Sequence, residues 1–241
     1  MGTALVIGVG ATRGLGAALC RRFAREGLHV VAAGRTEEKL ATVVDQIETE
    51  GGRARFAVGD ATTGEAVSAF FDAAEEAGSI PELVVYNVGN NRLSPLVEMS
   101  DAFFEDAWRV GCFGGFLAGR EAARRMLPAG GGSLIFTGAT ASLRARPPFT
   151  AFASAKAGLR AVAHGMAREL GSRGLHVAHV VIDGVIDGEQ VSRRMPEIKE
   201  KLGEEGMLQP DQIADAYWML HRQPPSAWTL ELDLRPHRES F

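Results

Sequence analysis

Glycines near the start of the chain have the spacing and the placement of a phosphate-binding turn. Residues 8–16 have the sequence GVGATRGLG and lie between an apolar run, residues 4–7, and a segment with helical spacing. Glycines let a backbone turn tightly and approach a pyrophosphate, while the N–H groups at the start of the next helix attract negative charge. A turn without a ligand would also contain glycines, but the position between a strand and a helix favours a nucleotide site.

Polar residues and glycines end two of the later predicted strands. Asp60 ends the third strand, and Asn87 and Gly89 follow the fourth. Each of them could be an ordinary turn residue. However, ligands of parallel sheets bind outside the carboxyl ends of the strands, where all three residues would meet the glycine turn. The sequence therefore predicts one nucleotide site at this edge of a sheet.

Strands and helices alternate along the whole chain, which indicates the element that positions these residues. After residues 4–7, the predicted strands span residues 28–33, 55–58, 83–86, 133–137, 176–182 and 228–232. Helical spacing separates them, and this alternation is typical of a parallel sheet with right-handed crossovers and helices on both faces. We therefore expect an α/β fold, with one Rossmann-type doubly wound domain over residues 1–241.

Composition argues against several classes of function. The 241 residues carry a formal charge of −4, which gives no basic field for nucleic acid. No apolar run is long enough to span a membrane, and Met1 leads almost directly into the first strand, so we expect neither a membrane anchor nor a signal peptide. Cys20 and Cys112 imply no disulfide, and no His, Cys or Asp cluster has the spacing of metal ligands. We expect a cytoplasmic protein without a metal.

Three of these stretches resemble the short-chain dehydrogenase/reductase family: the GxxxGxG spacing from Gly10, Asp60 after the third strand, and Asn87-Val88-Gly89 after the fourth. The resemblance implies a seven-stranded sheet in the order 3-2-1-4-5-6-7. It also implies an oxidoreductase that transfers hydride between a nicotinamide cofactor and a carbonyl or hydroxyl carbon. The residues implied to bind the cofactor are Gly10, Arg13, Gly14, Leu15, Gly16, Arg35, Asp60, Asn87, Gly89, Lys156 and Gly184.

The charge at the end of the second strand bears on which cofactor is bound. An NAD(H) site normally places a carboxylate there, which accepts a hydrogen bond from the ribose 2′-hydroxyl. Here the strand ends in Gly34 and Arg35, and Arg13 lies in the glycine turn. Guanidinium groups bind a phosphate bidentately. Unless both arginines are merely solvated surface side chains, the sequence favours NADP(H) over NAD(H).

The family's active site combines Asn, Ser, Tyr and Lys, with Tyr and Lys on one face of a helix. By resemblance, Lys156 is the catalytic lysine, but the other three positions hold Gly111, Ala139 and Phe152. A general acid contributes about 10²–10⁴-fold to the rate, and phenylalanine has no proton to donate. We therefore expect poor reduction of ordinary carbonyls unless Thr140, Asp183 or the substrate itself supplies an acid.

Three interpretations of function stay open. The first is an NADP(H)-dependent oxidoreductase with an altered active site and an unknown substrate. The second is a catalytically inactive nucleotide-binding protein, either a sensor or a partner subunit, which the missing Ser and Tyr favour. The third, an S-adenosylmethionine or nucleotide-sugar enzyme, fits the glycine turn but not residues 87–89 or 152–156.

Two further expectations concern motion and assembly. Residues 184–208 combine glycines with charged residues and lack a continuous apolar face, which predicts a flexible lid over the substrate. The predicted helices at residues 100–126 and 150–172 carry apolar residues expected on their outer faces, namely Phe113, Phe116, Leu159 and Val162. Since relatives pair through these helices, we expect a homodimer or a homotetramer.

Overall fold

A single parallel sheet forms the centre of the computed structural model, which describes residues 2–89, 91–194 and 196–239. Within these residues its seven strands stand in the order β3-β2-β1-β4-β5-β6-β7, which confirms the predicted α/β fold and strand order. The strands are β1 (Thr3–Ile7), β2 (His29–Gly34), β3 (Arg53–Val58), β4 (Leu83–Tyr86), β5 (Gly132–Thr137), β6 (Leu175–Ile182) and β7 (Glu231–Leu234).

Helices cover both faces of this sheet. None of those in the described residues is both long and apolar enough to cross a membrane. The helices are α1 (Leu15–Arg25), α2 (Glu37–Thr49), α3 (Gly64–Glu76), α4 (Asp101–Trp108), α5 (Gly114–Met126), α6 (Thr150–Leu170), α7 (Glu189–Arg194), α8 (Pro196–Leu202) and α9 (Pro210–His221).

Burial on both faces explains why the strands are continuous apolar runs rather than alternating ones. In β1, Ala4 and Val6 pack into the core under α1, α2 and α9, whereas Leu5 and Ile7 pack into the core under α3, α5 and α6. All four side chains are at most 1% exposed. The two cores therefore hold β1 at the centre, with the glycine turn directly after it.

The last strand begins later than predicted, at Glu231 rather than at Trp228. The Trp228 ring stacks on the ring of His176, with centroids 4.8 Å apart and planes at 4°. This aromatic contact accounts for the apolar character of the segment without a place in the strand ladder. Apolar periodicity alone does not distinguish the two situations.

The long helix predicted at residues 100–126 is divided by a π-helical turn, Arg109–Phe113, between α4 and α5. The buried hydroxyl of Tyr86 donates to the carbonyl oxygen of Val110 in this turn, at 2.7 Å. A Cβ atom at Gly114 would collide with that hydroxyl. Tyr86 and Gly114 thus fit each other, and the tyrosine satisfies a carbonyl where the regular ladder is interrupted.

One residue expected on an outer helix face lies in the core instead. Leu159 of α6 is fully buried and packs directly against Gly115 of α5. The helical spacing predicted the wrong face for Leu159. Gly115 has no side chain, so the Leu159 side chain packs between α6 and α5. Phe113, Phe116 and Val162 remain partly exposed.

The predicted lid contains α7, α8 and a short 3₁₀ turn, Glu204–Gly206. Its two ends are joined by a parallel bridge between Ile186 and Leu208, and the N–H of Asp187 donates to the Leu208 carbonyl at 2.8 Å. Inside the lid, the Lys199 ammonium group binds the buried Asp187 carboxylate at 2.9 Å. Met195 lies outside the described residues, and the mobility of the lid stays a prediction.

Tyr86→Phe tests the bond to the π-helical turn. Removal of the hydroxyl leaves a buried carbonyl without its donor, so we expect the free energy of unfolding to fall by about 1–3 kcal/mol. Urea denaturation of both proteins measures the change. An unchanged midpoint and slope would show that the turn does not depend on this hydrogen bond.

Candidate active site

The glycine turn is packed so tightly that side chains are excluded from it. The backbone N–H groups of Gly8 and Val9 both donate to the Ala33 carbonyl of β2, at 2.9 and 3.0 Å. The side-chain amide of Asn87 donates to the carbonyl of Gly8 at 3.1 Å. A Cβ atom at Gly16 would lie 2.7 Å from the same carbonyl oxygen. The ends of β1, β2 and β4 are therefore held together at the predicted nucleotide edge.

The outer side of the turn is open, as a pyrophosphate site requires. A Cβ atom at Gly10 would meet no protein atom within 4 Å. Helix α1 begins at Leu15, its N-cap residue Gly14 makes no side-chain cap, and its first turn contains no acidic residue. The N–H groups at this helix start are thus available to an anion. A dinucleotide phosphate fits this surface of the protein.

Backbone packing also excludes a carboxylate from the end of β2. A Cβ atom at Gly34 would lie 2.5 Å from the carbonyl oxygen of Val9, so no larger residue fits there. Arg13 and Arg35 are exposed, and the side chains of both are without hydrogen bonds or ion pairs to the described part of the chain. This end of the strand therefore presents two exposed arginines, and Glu37 and Glu38 follow in the first turn of α2.

Asp60 lies beyond β3 and is exposed. One of its carboxylate oxygens accepts from both the N–H and the hydroxyl of Thr62, each at 2.9 Å. These bonds hold the turn before α3, so the local role that the sequence allowed is present in the structure. The structure thus places Asp60 at the same edge as Asn87, where it also serves its own turn.

Lys156 is the buried charge of the site. It lies on α6 and is 3% exposed, and its ammonium group donates to the carbonyl of Thr137, at 2.8 Å, and to that of Val88, at 3.3 Å. The ammonium nitrogen is 6.0 Å from the centroid of the Phe152 ring. Burial lowers the pKa of Lys156 to about 8. Helix α6 thus places one ammonium group at the ends of β4 and β5, beside Gly89.

The position that the resemblance assigns to the family's asparagine, Gly111, is closed by packing. Gly111 lies in the π-helical turn, and a Cβ atom there would be 2.7 Å from the Cβ of Ala155. No larger side chain can enter without movement of α6. The place assigned to the family's serine, Ala139, follows β5, and its backbone N–H donates to the hydroxyl of Ser142 at 3.1 Å.

Thr140 and Asp183, the substitute acids considered from the sequence, bind each other. The Thr140 hydroxyl donates to an Asp183 carboxylate oxygen at 2.5 Å. Asp183 is buried at the end of β6, and the guanidinium groups of Arg144 and Arg235 lie 3.4 Å from its carboxylate. The threonine proton is thus directed at the carboxylate, which two guanidinium groups flank. In this arrangement the hydroxyl proton of Thr140 is bound to Asp183 and does not point at a substrate.

A partly buried polar network that the sequence did not predict lies behind this loop. Glu231 of β7 accepts two hydrogen bonds from Arg160, at 2.6 and 2.8 Å, and lies 3.2 Å from His164 and 3.0 Å from His179. The other ring nitrogen of His179 is 3.4 Å from the Ser142 hydroxyl. The only trace in the sequence is that Arg160 and His164 follow Lys156 at intervals of four, along one stripe of α6.

Charge states follow from this environment. Arg160 lowers the pKa of Glu231 to about 2, and burial lowers the pKa of His179 to about 4. A neutral His179 that donates to Glu231 presents an acceptor nitrogen to Ser142. Ser142, His179 and Glu231 therefore resemble a hydrolytic triad, but Ser142 is 5% exposed and already accepts from Ala139. This hydrogen-bond network holds the loop after β5 in place.

Comparison with known proteins agrees with this geometry. The profile of a family described as short chain dehydrogenase matches residues 3–197. The chain belongs to this family. It is 30% identical over 219 residues to gluconate 5-dehydrogenase of Gluconobacter oxydans, a match that covers 91% of this chain and 79% of the relative. The fold and the enzyme class, an oxidoreductase that uses a nicotinamide cofactor, are those of the family.

Solved structures of similar proteins cover almost the whole chain. A short-chain dehydrogenase from Rhodopseudomonas palustris is 43% identical, with a TM-score of 0.83 over 98% of this chain and 99% of that one. A gluconate 5-dehydrogenase from Burkholderia cenocepacia, in complex with NADP and tartrate, is 25% identical, with a TM-score of 0.84 over 98% and 94%.

The burial of His179 in this network predicts how the stability of the protein depends on pH. Below the ordinary histidine value of 6.5, unfolded protein binds a proton that folded His179 does not bind until about pH 4. The free energy of unfolding therefore falls as the pH falls through this window, by up to about 3 kcal/mol from this residue. Urea denaturation at several pH values measures the slope.

The matched variants for this test are His179→Gln and His237→Gln, because His237 is exposed. His179→Gln should flatten the dependence between the two pKa values, whereas His237→Gln should retain it. Equal slopes in all three proteins would show that His179 does not control it.

Proposed function

We propose that this protein is an NADP(H)-binding oxidoreductase that transfers hydride to or from a carbonyl or hydroxyl carbon without a phenol at its active site. The observation that carries the proposal is the position of Lys156. Its ammonium group lies at the ends of β4 and β5, on the edge that also presents the open glycine turn. A cation there suits the ribose hydroxyls of a dinucleotide whose phosphates lie on the turn.

The choice of NADP(H) over NAD(H) rests on the end of β2. The Val9 carbonyl leaves no space for a side chain at position 34, so an aspartate or glutamate does not fit there. Arg13 and Arg35, near this strand end, are exposed. A 2′-phosphate would lie between two guanidinium groups, which bind phosphate oxygens bidentately. Structural relatives were solved with NADP and with NADH, so the preference proposed here depends on the two arginines alone.

The remaining residues of the proposed site have separate roles in binding the cofactor. Leu15 and Gly16 would present helix N–H groups to the pyrophosphate, Asp60 would accept from the adenine amino group, and Asn87 holds the turn in shape. The bound cofactor would supply or accept the hydride. Phe152 and Ala139 neither donate a proton nor polarise a carbonyl, so simple ketones should react slowly.

A nucleotide-binding sensor or partner subunit without turnover is the second candidate. Ala139 and Phe152 favour it, and so does the closed space at Gly111, which removes the family's proton route together with its residues. Both candidates require the nucleotide. Cofactor affinity therefore tests the shared part of the two, and turnover separates them.

The assembly and the location are part of the proposal. We infer a homodimer or homotetramer through the outer faces of α4, α5 and α6, where the rings of Trp108, Phe113 and Phe116 stack with neighbouring centroids 6.0 Å apart. Residues 184–208 would act as the lid over the substrate. The buried thiols of Cys20 and Cys112 suit a cytoplasmic location.

Arg35→Glu tests the cofactor preference. The parent protein should bind NADPH more tightly than NADH, and the variant should lose about tenfold or more in NADPH affinity, since one charged contact is worth about 1.5–3 kcal/mol. NADH affinity should change less. Titration by cofactor fluorescence measures all four constants.

Arg173→Glu is the matched control for this experiment. Arg173 is exposed in the connection before β6, at the edge opposite the glycine turn, and the charge change is the same. Its two affinities should equal those of the parent protein. Identical binding curves for NADPH and NADH with the parent protein would show that Arg13 and Arg35 do not select a 2′-phosphate.

The double substitution Phe152→Tyr with Ala139→Ser tests whether the site is a functional one that lacks its acid. Restoration of both groups should raise the rate of ketone reduction by about 10²-fold or more, because they act together. NADPH oxidation with an activated ketone measures the rate. Gly111 should be left unchanged, since asparagine would collide with Ala155. A rate no higher than that of the parent favours the sensor.

A further inference from the structure

We propose that Lys156 itself donates the proton to the substrate oxygen during carbonyl reduction, in place of the phenol that Phe152 cannot supply. This inference rests on the proposed function, because it requires a reduced nicotinamide at the same edge of the sheet. It makes Lys156 a catalytic residue and not only a ligand of the ribose.

The hydrogen bonds of Lys156 leave one donor for a ligand. A protonated lysine has three N–H donors, and two of them reach the carbonyls of Thr137 and Val88. The described part of the chain offers no acceptor bonded to the third. Gly89 leaves space beside the ammonium group, since a Cβ atom there would still be 3.8 Å from the nitrogen. The open side therefore faces the end of β4, where the cofactor and the substrate meet.

The competing donors near the site are already committed. The Thr140 proton goes to Asp183, and Asp183 lies beside Arg144 and Arg235. The Ser142 hydroxyl lies behind the loop, against His179. Lys156 is thus the group with a proton that can be directed at a substrate oxygen.

The surroundings make this proton transferable. Burial lowers the pKa of Lys156 to about 8, close to the pH at which a cellular general acid works best. The pKa of His179 on β6 is lowered to about 4 by burial, with the charge of Lys156 as a smaller cause, so His179 is neutral at pH 7. On the same helix, Arg160 and His164 face Glu231. The Phe152 ring adds an apolar wall.

The proposed step is balanced as follows. The carbonyl carbon receives the hydride that the reduced cofactor supplies, and the electron pair of the C=O π bond moves to the oxygen. One N–H bond of Lys156 breaks as its proton forms the new O–H bond of the alcohol. The neutral amine then takes a proton from water. In the direction of alcohol oxidation, the amine would accept the proton.

Lys156→Arg separates proton donation from ribose binding. Arginine keeps the positive charge and the N–H donors but does not release its proton in proteins. We expect NADPH affinity within about threefold of the parent and a single-turnover rate lowered by about 100-fold or more. The probe is ethyl 4,4,4-trifluoroacetoacetate, an activated ketone, with the rate measured from NADPH absorbance. Lys39→Arg, on the exposed side of α2, is the matched control and should behave as the parent.

The pH dependence provides a readout that does not need turnover. Parent protein should lose NADPH affinity as the pH rises through about 8, since the deprotonated amine is a weaker donor, and its rate should fall over the same range. The Lys156→Arg variant should show neither change. If arginine does not fold at this buried position, Phe152→Tyr serves instead: its added phenol should raise the rate and alter the fall of the rate above about pH 8.

The outcomes separate the two proposals. A Lys156→Arg rate equal to that of the parent, or a parent rate that does not fall above about pH 8, would overturn proton donation by Lys156. Absence of ketone reduction by parent protein that binds NADPH would also overturn it and leave the sensor interpretation. Failure to bind NADPH would overturn the proposed function as well.

Discussion

The burial of one ammonium group between two strand ends constrains much of this protein. Lys156 reaches the carbonyls of Val88 and Thr137 only because α6 lies close against the sheet and against the α4–α5 segment. That closeness explains the small residues at the contact: Gly111 against Ala155, and Gly115 against Leu159. A buried cation is unfavourable unless its donors are satisfied. The two carbonyls and the packing of three helices are therefore parts of one arrangement.

Glu231 fixes the same helix from the other side. It gathers Arg160 and His164 from α6 and His179 from β6, and through Ser142 it reaches the backbone of Ala139. One carboxylate thus links the last strand, the lysine helix and the loop beside the substrate. Such a network is stable only when each member is paired, and here the neutral histidine and the ionised glutamate satisfy each other. Its contacts run to α6, β6 and the loop after β5.

The two halves of the site differ in how far they follow the family. The cofactor half retains an open turn, a closed β2 end and exposed arginines. At the positions that the resemblance assigns to the family's Ser, Tyr and Asn stand Ala139, Phe152 and Gly111, and Ala155 packs against Gly111. Either a less reactive proton donor suffices for an unusual substrate, or binding alone is the function.

The sequence by itself determined the strands, their alternation with helices and the residues at the carboxyl edge, because apolar runs and glycine spacing are local properties that a parallel sheet converts into position. It did not determine that Leu159 faces the core, that Tyr86 binds a π-helical turn, or where β7 begins. Nor did it determine the hydrogen-bond network from Glu231 to Ser142. Each of these depends on partners from 24 to 71 residues away along the chain, such as Tyr86 with Val110 and Arg160 with Glu231. Only tertiary packing decides such contacts, since they arise from the distance between helices and not from the periodicity within one.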